Sequence, residues 1–192
     1  MRDVIIACDF SSAEEVLSFL DKFAECERKP FVKIGMELYY AAGPEIVREI
    51  KRRGHKIFLD LKLHDIPNTV KKASENIIKS GATFYNIHAL GGYEMIKQSC
   101  DAARKMAEQL GKKDPTILAV TVLTSISNEV LNKELTIAKD ASEFALELAK
   151  LAKSAGANGV VASVWEARKI KEVCGNDFKV LCPGIRPEWA SK

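Results

Sequence analysis

The segment of residues 56–69 places charged side chains at the end of an apolar run. It begins as a predicted buried strand and brings Asp60, Lys62 and Asp65 within six residues. Because strand positions two apart share a face, Asp60 and Lys62 are expected to point to the same side of a sheet. An acid and an amine on the inner face of an apolar strand are costly unless they are paired. The spacing therefore predicts a carboxylate–ammonium pair, with Asp65 turning back toward it from the following loop.

Two interpretations fit this pair, and a lone Asp-x-Lys spacing supports them about equally. The first is a structural ion pair at a strand end. The second is a catalytic site, because a lysine between carboxylates stays protonated and can serve as both a fixed cation and an acid. A fixed cation stabilises negative charge that develops during a reaction. A functional site built on this pair would therefore supply a fixed positive charge and a proton donor.

The rest of the chain alternates apolar strand-like runs with helical patterns. Continuous apolar runs separated by helices are typical of a parallel sheet covered by helices. The unit repeats without a segment that resembles a linker, which predicts a single domain. We expect seven strands, at residues 4–8, 31–35, 56–61, 83–88, 116–121, 159–162 and 179–182. One long helical segment is expected to follow a polar loop at residues 124–128 and to end near Ser154.

Polar residues collect at the carboxyl ends of nearly all these strands. In a (β/α)8 barrel the active site lies at that end of the strands. An open doubly wound sheet would instead gather such residues at one switch point, and no G-x-G-x-x-G motif follows the first strand. The distribution favours the barrel, and the residues concerned are Asp9, Lys33, Asp60, Lys62, His88, Thr121, Thr124 and Arg186.

The count of strands falls one short of a closed barrel. A complete (β/α)8 barrel has eight βα units and is usually about 250 residues long. The sequence has 192 residues and supplies seven strands. We therefore expect residues 1–192 to form one barrel domain that lacks its eighth strand and helix at the C-terminal end.

Composition excludes several classes of function. Hydrophobic residues make up 47% and charged residues 29%, with a net charge of +3, which is too small to predict nucleic-acid or membrane-surface binding. No apolar run approaches the roughly 20 residues of a membrane helix, and the N-terminus does not resemble a signal peptide. The five cysteines show no C-x-x-C spacing, which indicates reduced thiols in a cytoplasmic protein and no structural zinc site.

The string D-L-K-L-H-D-I-P-N-T, from Asp60 to Thr69, resembles the signature of the orotidine 5'-monophosphate decarboxylase family. Further family segments follow in the same order: A-C-D ending at Asp9, K-I-G starting at Lys33, V-L-T-S containing Thr124, and C-P-G-I-R-P containing Arg186. The resemblance covers nearly the whole chain. It implies a (β/α)8 barrel that converts orotidine 5'-monophosphate to UMP, without cofactor or metal, as an obligate homodimer.

The resemblance also implies residue roles at the reacting carbon. Lys33, Asp60, Lys62 and Asp65 would form a network of alternating charge. Lys62 would donate a proton to C6 of the pyrimidine after CO₂ leaves, and Asp60 would lie beside the substrate carboxylate. Asp65 would reach into the site of the neighbouring subunit.

Substrate contacts follow from the same resemblance. Asp9 and Lys33 would contact the ribose hydroxyls, and Thr124 the pyrimidine, with Ser125 and Ser127 as nearby candidates for a base contact. The remaining implied substrate-binding residues are Ile66, Thr69 on the partner's side, and Arg186 in the loop after the seventh strand. The family's phosphate-binding glutamine and Gly-Arg pair have no counterpart in residues 1–192, so we expect weakened phosphate binding.

Two alternatives stay open. A magnesium-dependent aldolase of the same superfamily, similar to hexulose phosphate synthase, would use the same acids to hold a metal, although the I-P-N-T string after Asp65 argues against it. A catalytically inactive truncated fragment is the other alternative. The histidines are not expected to act in catalysis: His88 is interpreted as a hydrogen-bonded wall residue, and His55 and His64 have no partner at metal-binding spacing.

Overall fold

The protein is built around one parallel sheet, which the computed structural model shows for residues 4–185 together with residue 189. Each strand pairs in parallel with the next strand of the sequence, so the order in the sheet is the order in the chain. The strands are β1 (Ile5–Cys8), β2 (Phe31–Gly35), β3 (Lys56–Leu63), β4 (Phe84–His88), β5 (Thr116–Val120), β6 (Gly159–Val161) and β7 (Lys179–Leu181).

Helices connect the strands. They are α1 (Ala13–Asp21), α2 (Met36–Ala42), α3 (Glu45–Arg52), α4 (Pro67–Ser80), α5 (Gly92–Gln109), α6 (Ala141–Ser154) and α7 (Val164–Cys174). A short 3₁₀ turn (Ala89–Gly91) and a π turn (Val130–Glu134) complete the described elements. None of the helices within residues 4–185 has the length and apolar character that crossing a lipid bilayer requires.

The sheet curls into an arc and does not close within the described residues. No strand ladder joins β7 to β1 in residues 4–185. The predicted barrel-type architecture, with seven parallel strands and without an eighth βα unit, is confirmed for this part of the chain.

Local sequence signals explain where the helices begin and end. The Ser12 hydroxyl accepts a hydrogen bond from the N–H of Glu15 at 3.3 Å, which satisfies one of the free donors at the start of α1. Pro67 occupies the first turn of α4, where its missing N–H costs nothing. Gly81 ends that helix with a φ of 95°, a left-handed conformation that a side chain disfavours.

The structure differs from the sequence-based expectation in three segments. An additional helix, α2, follows β2 directly and buries only Leu38, so its apolar pattern is too weak to predict. The expected long helical segment after residue 128 is instead a π turn, a loop and α6, because the Asp140 side chain caps α6 by accepting the N–H of Ser142. Strand β3 continues two residues beyond Leu61.

Two apolar layers lie on opposite faces of the sheet. The larger layer fills the space between the strands and the helices and includes Ile57 and Leu59 of β3. The smaller layer lies inside the arc and contains Phe31, Phe58 and Leu118. The side chains that pack against this inner layer are Ile5, Phe84, Val161 and Leu181. The inner face of β3 is therefore the face of Phe58, and alternation places Asp60 above it.

We expect Phe58→Ala to lower the free energy of unfolding by about 3–5 kcal/mol, because truncation leaves a cavity in the inner layer. Phe58 is 2% exposed. Tyr40→Ala is the matched control, since the side chain of Tyr40 is 73% exposed and its loss should cost under about 0.5 kcal/mol. Urea denaturation of both variants measures the difference. Equal losses would contradict the assignment of Phe58 to the core.

Candidate active site

Three of the four residues predicted for catalysis, Lys33, Asp60 and Lys62, meet at the carboxyl ends of the first three strands, together with Asp9. Asp9 follows β1, Lys33 lies in β2, and Asp60 and Lys62 lie in β3. The pairing register places Lys33 opposite Phe58 and Gly35 opposite Asp60. In barrels of this type the carboxyl ends of the strands carry the active site.

These four residues form a continuous chain of alternating charge. The Lys33 Nζ atom lies 2.7 Å from Asp9 Oδ1 and 3.6 Å from Asp60 Oδ2. The Lys62 Nζ atom lies 2.8 Å from Asp60 Oδ1. The Asp60 side chain is only 13% exposed, so a charge here needs partners, and the two ammonium groups supply them. The prediction of a carboxylate–ammonium pair at this strand end agrees with this geometry.

Asn86 of β4 belongs to the same cluster, and the sequence analysis missed it. Its Nδ2 atom donates to Asp60 Oδ1 at 2.7 Å, and its Oδ1 atom accepts the backbone N–H of Lys62 at 2.8 Å. A single polar residue in the apolar run F-Y-N-I-H, two positions before His88, is the signal that could have found it. The partners of Asn86 could not be named without the pairing of β3 with β4.

The backbone of β3 is irregular where Lys62 lies. The ladder to β4 pairs Leu59 with Tyr85 and then Leu63 with Ile87, so β3 contains extra residues in this interval. Lys62 itself has a φ of 51°, in the left-handed region that residues other than glycine rarely adopt. Such conformations persist where surrounding contacts hold them, and they cluster at functional sites.

The sequence predicts that Asp65 turns back toward the Asp60–Lys62 pair, but within residues 4–185 it forms no ion pair with either lysine of the cluster. Its Oδ1 atom accepts the N–H of Ile66 at 2.7 Å, and its side chain is exposed. Among the described residues, Lys62 forms its ion pair with Asp60 and not with Asp65. Ile66 is 67% exposed and Thr69 is also exposed, so all three residues form a rim beyond the end of β3.

The other polar residues predicted at the strand ends follow β5 and β7 in the sequence. Thr124 and Ser125 are exposed in the loop after β5. The Ser127 hydroxyl accepts the N–H of Val130 at 3.2 Å and so caps the π turn. Thr121 is buried and donates to the carbonyl of Val161 at 3.0 Å, a structural contact. Arg186 lies outside the described residues.

His88 forms part of the wall beside the charged cluster. Its ring stacks against His64 with a centroid separation of 5.3 Å and an interplanar angle of 33°. Its Nδ1 atom is buried and has no hydrogen-bond partner among the described residues. Burial, followed by the proximity of His64 and Lys62, lowers the pKa of His88, while Asp60 opposes this shift.

The lowered pKa of His88 predicts a loss of stability in acid. The unfolded chain binds the proton at the ordinary value of 6.5, before the folded protein does. The stability contributed by neutral His88 is therefore complete above pH 6.5 and is lost as the pH falls through the lowered pKa of the folded protein.

An NMR titration of the His88 ring should show the lowered pKa. His64→Gln should raise the pKa of His88, because it removes a neighbouring charge. His55→Gln, before β3, is the control and should leave it unchanged; an unmoved pKa in His64→Gln would contradict the contact.

Comparison with known proteins identifies the family. The profile of the "Orotidine 5'-phosphate decarboxylase / HUMPS family" matches residues 2–192. The chain is 49% identical to orotidine 5'-phosphate decarboxylase of Fusobacterium nucleatum subsp. nucleatum, over 100% of this chain and 78% of that protein. It is 47% identical to the enzyme of Staphylococcus aureus, over 100% of this chain and 80% of that protein.

Solved structures agree with the sequence comparison. The crystal structure of orotidine 5'-phosphate decarboxylase from Lactobacillus acidophilus superimposes with a TM-score of 0.91 at 44% identity, over 97% of this chain and 83% of that chain. An uncharacterized conserved protein from Geobacillus kaustophilus gives a TM-score of 0.88 at 45% identity, over 93% of this chain and 82% of that chain. With a family profile that spans the chain, relatives close to half identical and a shared fold, this chain belongs to the orotidine 5'-phosphate decarboxylase / HUMPS family.

Proposed function

We propose that this protein decarboxylates orotidine 5'-monophosphate to UMP. The observation that carries the proposal is the Asp9–Lys33–Asp60–Lys62 charge network, at the carboxyl ends of barrel strands in a chain whose relatives are named decarboxylases. A structural ion pair needs only two charges. Four alternating charges at the active-site end of the sheet fit a site that must stabilise charge on a substrate.

The reaction makes a specific demand on this site. When the bond between C6 and the carboxylate breaks, CO₂ leaves and the electron pair stays on C6, where the pyrimidine π-system does not delocalise it. A fixed cation beside C6 lowers the free energy of that carbanion by electrostatic preorganisation. We assign this role to the Lys62 ammonium, which then transfers its proton to C6 and regains one from water. Asp60 would lie beside the departing carboxylate and hold Lys62 in place.

Substrate binding would use the remaining predicted residues. The Asp9 side chain is 61% exposed, which leaves its carboxylate open to the ribose hydroxyls, with Lys33 beside it. Thr124 would contact the pyrimidine from the loop after β5. Arg186 would contribute from the loop after β7. Binding energy from groups remote from C6 can be used to lower the barrier of the chemical step.

We infer that the active form is a homodimer in which Asp65, Ile66 and Thr69 complete the partner's site. The support is their exposure on the rim beyond β3 and the hydrogen bond of the Asp65 carboxylate to the N–H of Ile66 in place of an ion pair with Lys62. Large apolar side chains are exposed after the next strand as well, with Leu90 and Tyr93 each 45% exposed. Clustered exposed apolar surface often marks a protein interface.

The state of the cysteines supports a reducing compartment, which we propose to be the cytoplasm. All five cysteines are free. Burial raises the pKa of the Cys8 thiol to about 11 and that of Cys100 to about 12, so both are neutral near pH 7. Cys8 precedes Asp9 in the sequence, but a neutral, buried thiol is a poor nucleophile.

Loss of the Lys62 ammonium should abolish turnover. The loss of absorbance as orotidine monophosphate becomes UMP measures the rate, and we expect Lys62→Ala to lower kcat/KM by roughly 10³-fold or more, since both the cation and the acid are removed. Lys72→Ala on the exposed face of α4 is the matched control and should retain full activity.

The same assay separates the decarboxylase from the magnesium-dependent aldolase. Turnover of orotidine monophosphate that is unchanged by EDTA supports the decarboxylase. An inert wild-type chain, or activity that EDTA removes, would overturn it, and aldol cleavage of a hexulose phosphate restored by Mg²⁺ would identify the aldolase.

The dimer proposal predicts complementation between inactive variants. Lys62→Ala and Asp65→Ala should each be nearly inactive alone. A mixed dimer then carries both substitutions in one site and neither in the other. Equal mixing after reversible dissociation should restore about a quarter of the wild-type sites, as expected for a two-fold dimer. No recovery in a mixture shown to contain heterodimers would contradict a site shared between subunits.

A further inference from the structure

Asn86 is a buried residue, and both polar atoms of its side chain form hydrogen bonds to residues of β3. It is 1% exposed and lies on β4, next to β3. The Nδ2 atom donates to Asp60 Oδ1 at 2.7 Å, and the Oδ1 atom accepts the N–H of Lys62 at 2.8 Å. The Asn86 side chain therefore contacts both members of the Asp60–Lys62 pair. It binds the side chain of Asp60 and the backbone of Lys62.

The chemistry of these two contacts requires an amide. An ionised carboxylate only accepts hydrogen bonds, so the group that faces Asp60 must be a donor. A backbone N–H only donates, so the group that faces Lys62 must be an acceptor. An asparagine satisfies both at once. Aspartate would place a second negative charge beside Asp60. Leucine would remove one of the donors to Asp60 and leave the backbone N–H of Lys62 without its side-chain acceptor.

Asn86 also replaces a missing part of the β3–β4 ladder. Between Leu59 and Leu63 the regular pairing with β4 is interrupted, and Lys62 adopts its left-handed backbone conformation in that interval. Such a conformation costs of order 1–3 kcal/mol and needs support from its surroundings. The side-chain carbonyl of Asn86 supplies a hydrogen bond to the N–H of Lys62 where the ladder supplies none.

We propose that Asn86 is a positioning residue for the decarboxylation, holding the Asp60 carboxylate and the backbone of Lys62 so that the Lys62 ammonium faces the reacting carbon. The inference rests on the proposed function. Asn86 does not touch substrate in this role, because its polar atoms are already bonded within the protein. It acts on the chemical step through the placement of Lys62.

This role predicts a specific kinetic effect. Displacing a catalytic group by about 1 Å can cost on the order of 10²-fold in rate. We expect Asn86→Leu to lower kcat by about 10²-fold while KM changes by less than about threefold, since ground-state contacts to the substrate remain.

Asn158 provides a matched control. Its Oδ1 atom accepts the backbone N–H of Ile117 at 2.9 Å, so it too supports a neighbouring strand through its side-chain carbonyl. It precedes β6 at the opposite end of the sheet from the charged cluster. Asn158→Leu should lower the melting temperature and leave kcat unchanged. A purely structural role for Asn86 would give the same result in both variants.

Asn86→Asp adds a readout that a structural role does not produce. Its carboxyl group would face Asp60 and Lys62 of β3, with Lys33 of β2 behind Asp60, and His88 on its own strand. Two adjacent carboxylates share a proton, and the introduced carboxyl group, once protonated, can donate to Asp60 as the amide does. The activity of Asn86→Asp relative to wild type should therefore rise as the pH falls, whereas the ratio for Asn86→Leu should stay flat.

The outcomes separate this inference from the proposed function. A wild-type chain that does not turn over orotidine monophosphate would overturn both the proposed function and the positioning role of Asn86. An active wild type with Asn86→Leu equal to Asn158→Leu in kcat overturns the positioning role alone. If Asn86→Leu does not fold, the activity of Asn86→Asp relative to wild type decides. A relative activity that rises as the pH falls supports the inference, and one that does not change with pH overturns it.

Discussion

The site depends on one carboxylate, Asp60, placed on the inner face of a barrel strand. Removing a charged group from water is unfavourable unless partners replace the lost hydration. Here Lys33 and Lys62 approach from two directions and the amide of Asn86 donates a third contact. Each partner is thereby held by the charge that it stabilises. The arrangement gives Lys62 a fixed place before any substrate arrives, which is what electrostatic preorganisation requires.

The strands below the site give it a rigid base. An aromatic residue lies two positions before the polar one on each of three neighbouring strands, and these residues are Phe31, Phe58 and Phe84. The rings of Phe31 and Phe84 meet edge to face at 4.9 Å. The polar cluster therefore rests on a packed aromatic layer.

Much of this could be predicted from the sequence. The apolar runs indicated all seven described strands, and the types and spacing of Asp60 and Lys62 indicated an ion pair, because both signals are local. Asn86 could not be assigned, since its partners depend on the register between β3 and β4. The irregular backbone at Lys62 could not be predicted either. The alternation of side chains along a strand predicts which face of the sheet Lys62 occupies, but it does not predict a left-handed backbone conformation there. Helix α2 was missed because it follows β2 without a proline or a capping side chain and buries a single residue.

The alternation of aromatic and polar residues on these strands has a consequence for folding. A slip of β3 by one residue would turn Asp60 toward the helices and bring Leu59 and Leu61 to the inner face. Asp60 and Lys62 would then lie together in the larger apolar layer, separated from their partners Lys33 and Asn86 on the neighbouring strands. The charges proposed to act on the substrate therefore also discriminate against misregistered chains, so the catalytic residues contribute to choosing the correct fold as well as to the chemistry that it supports.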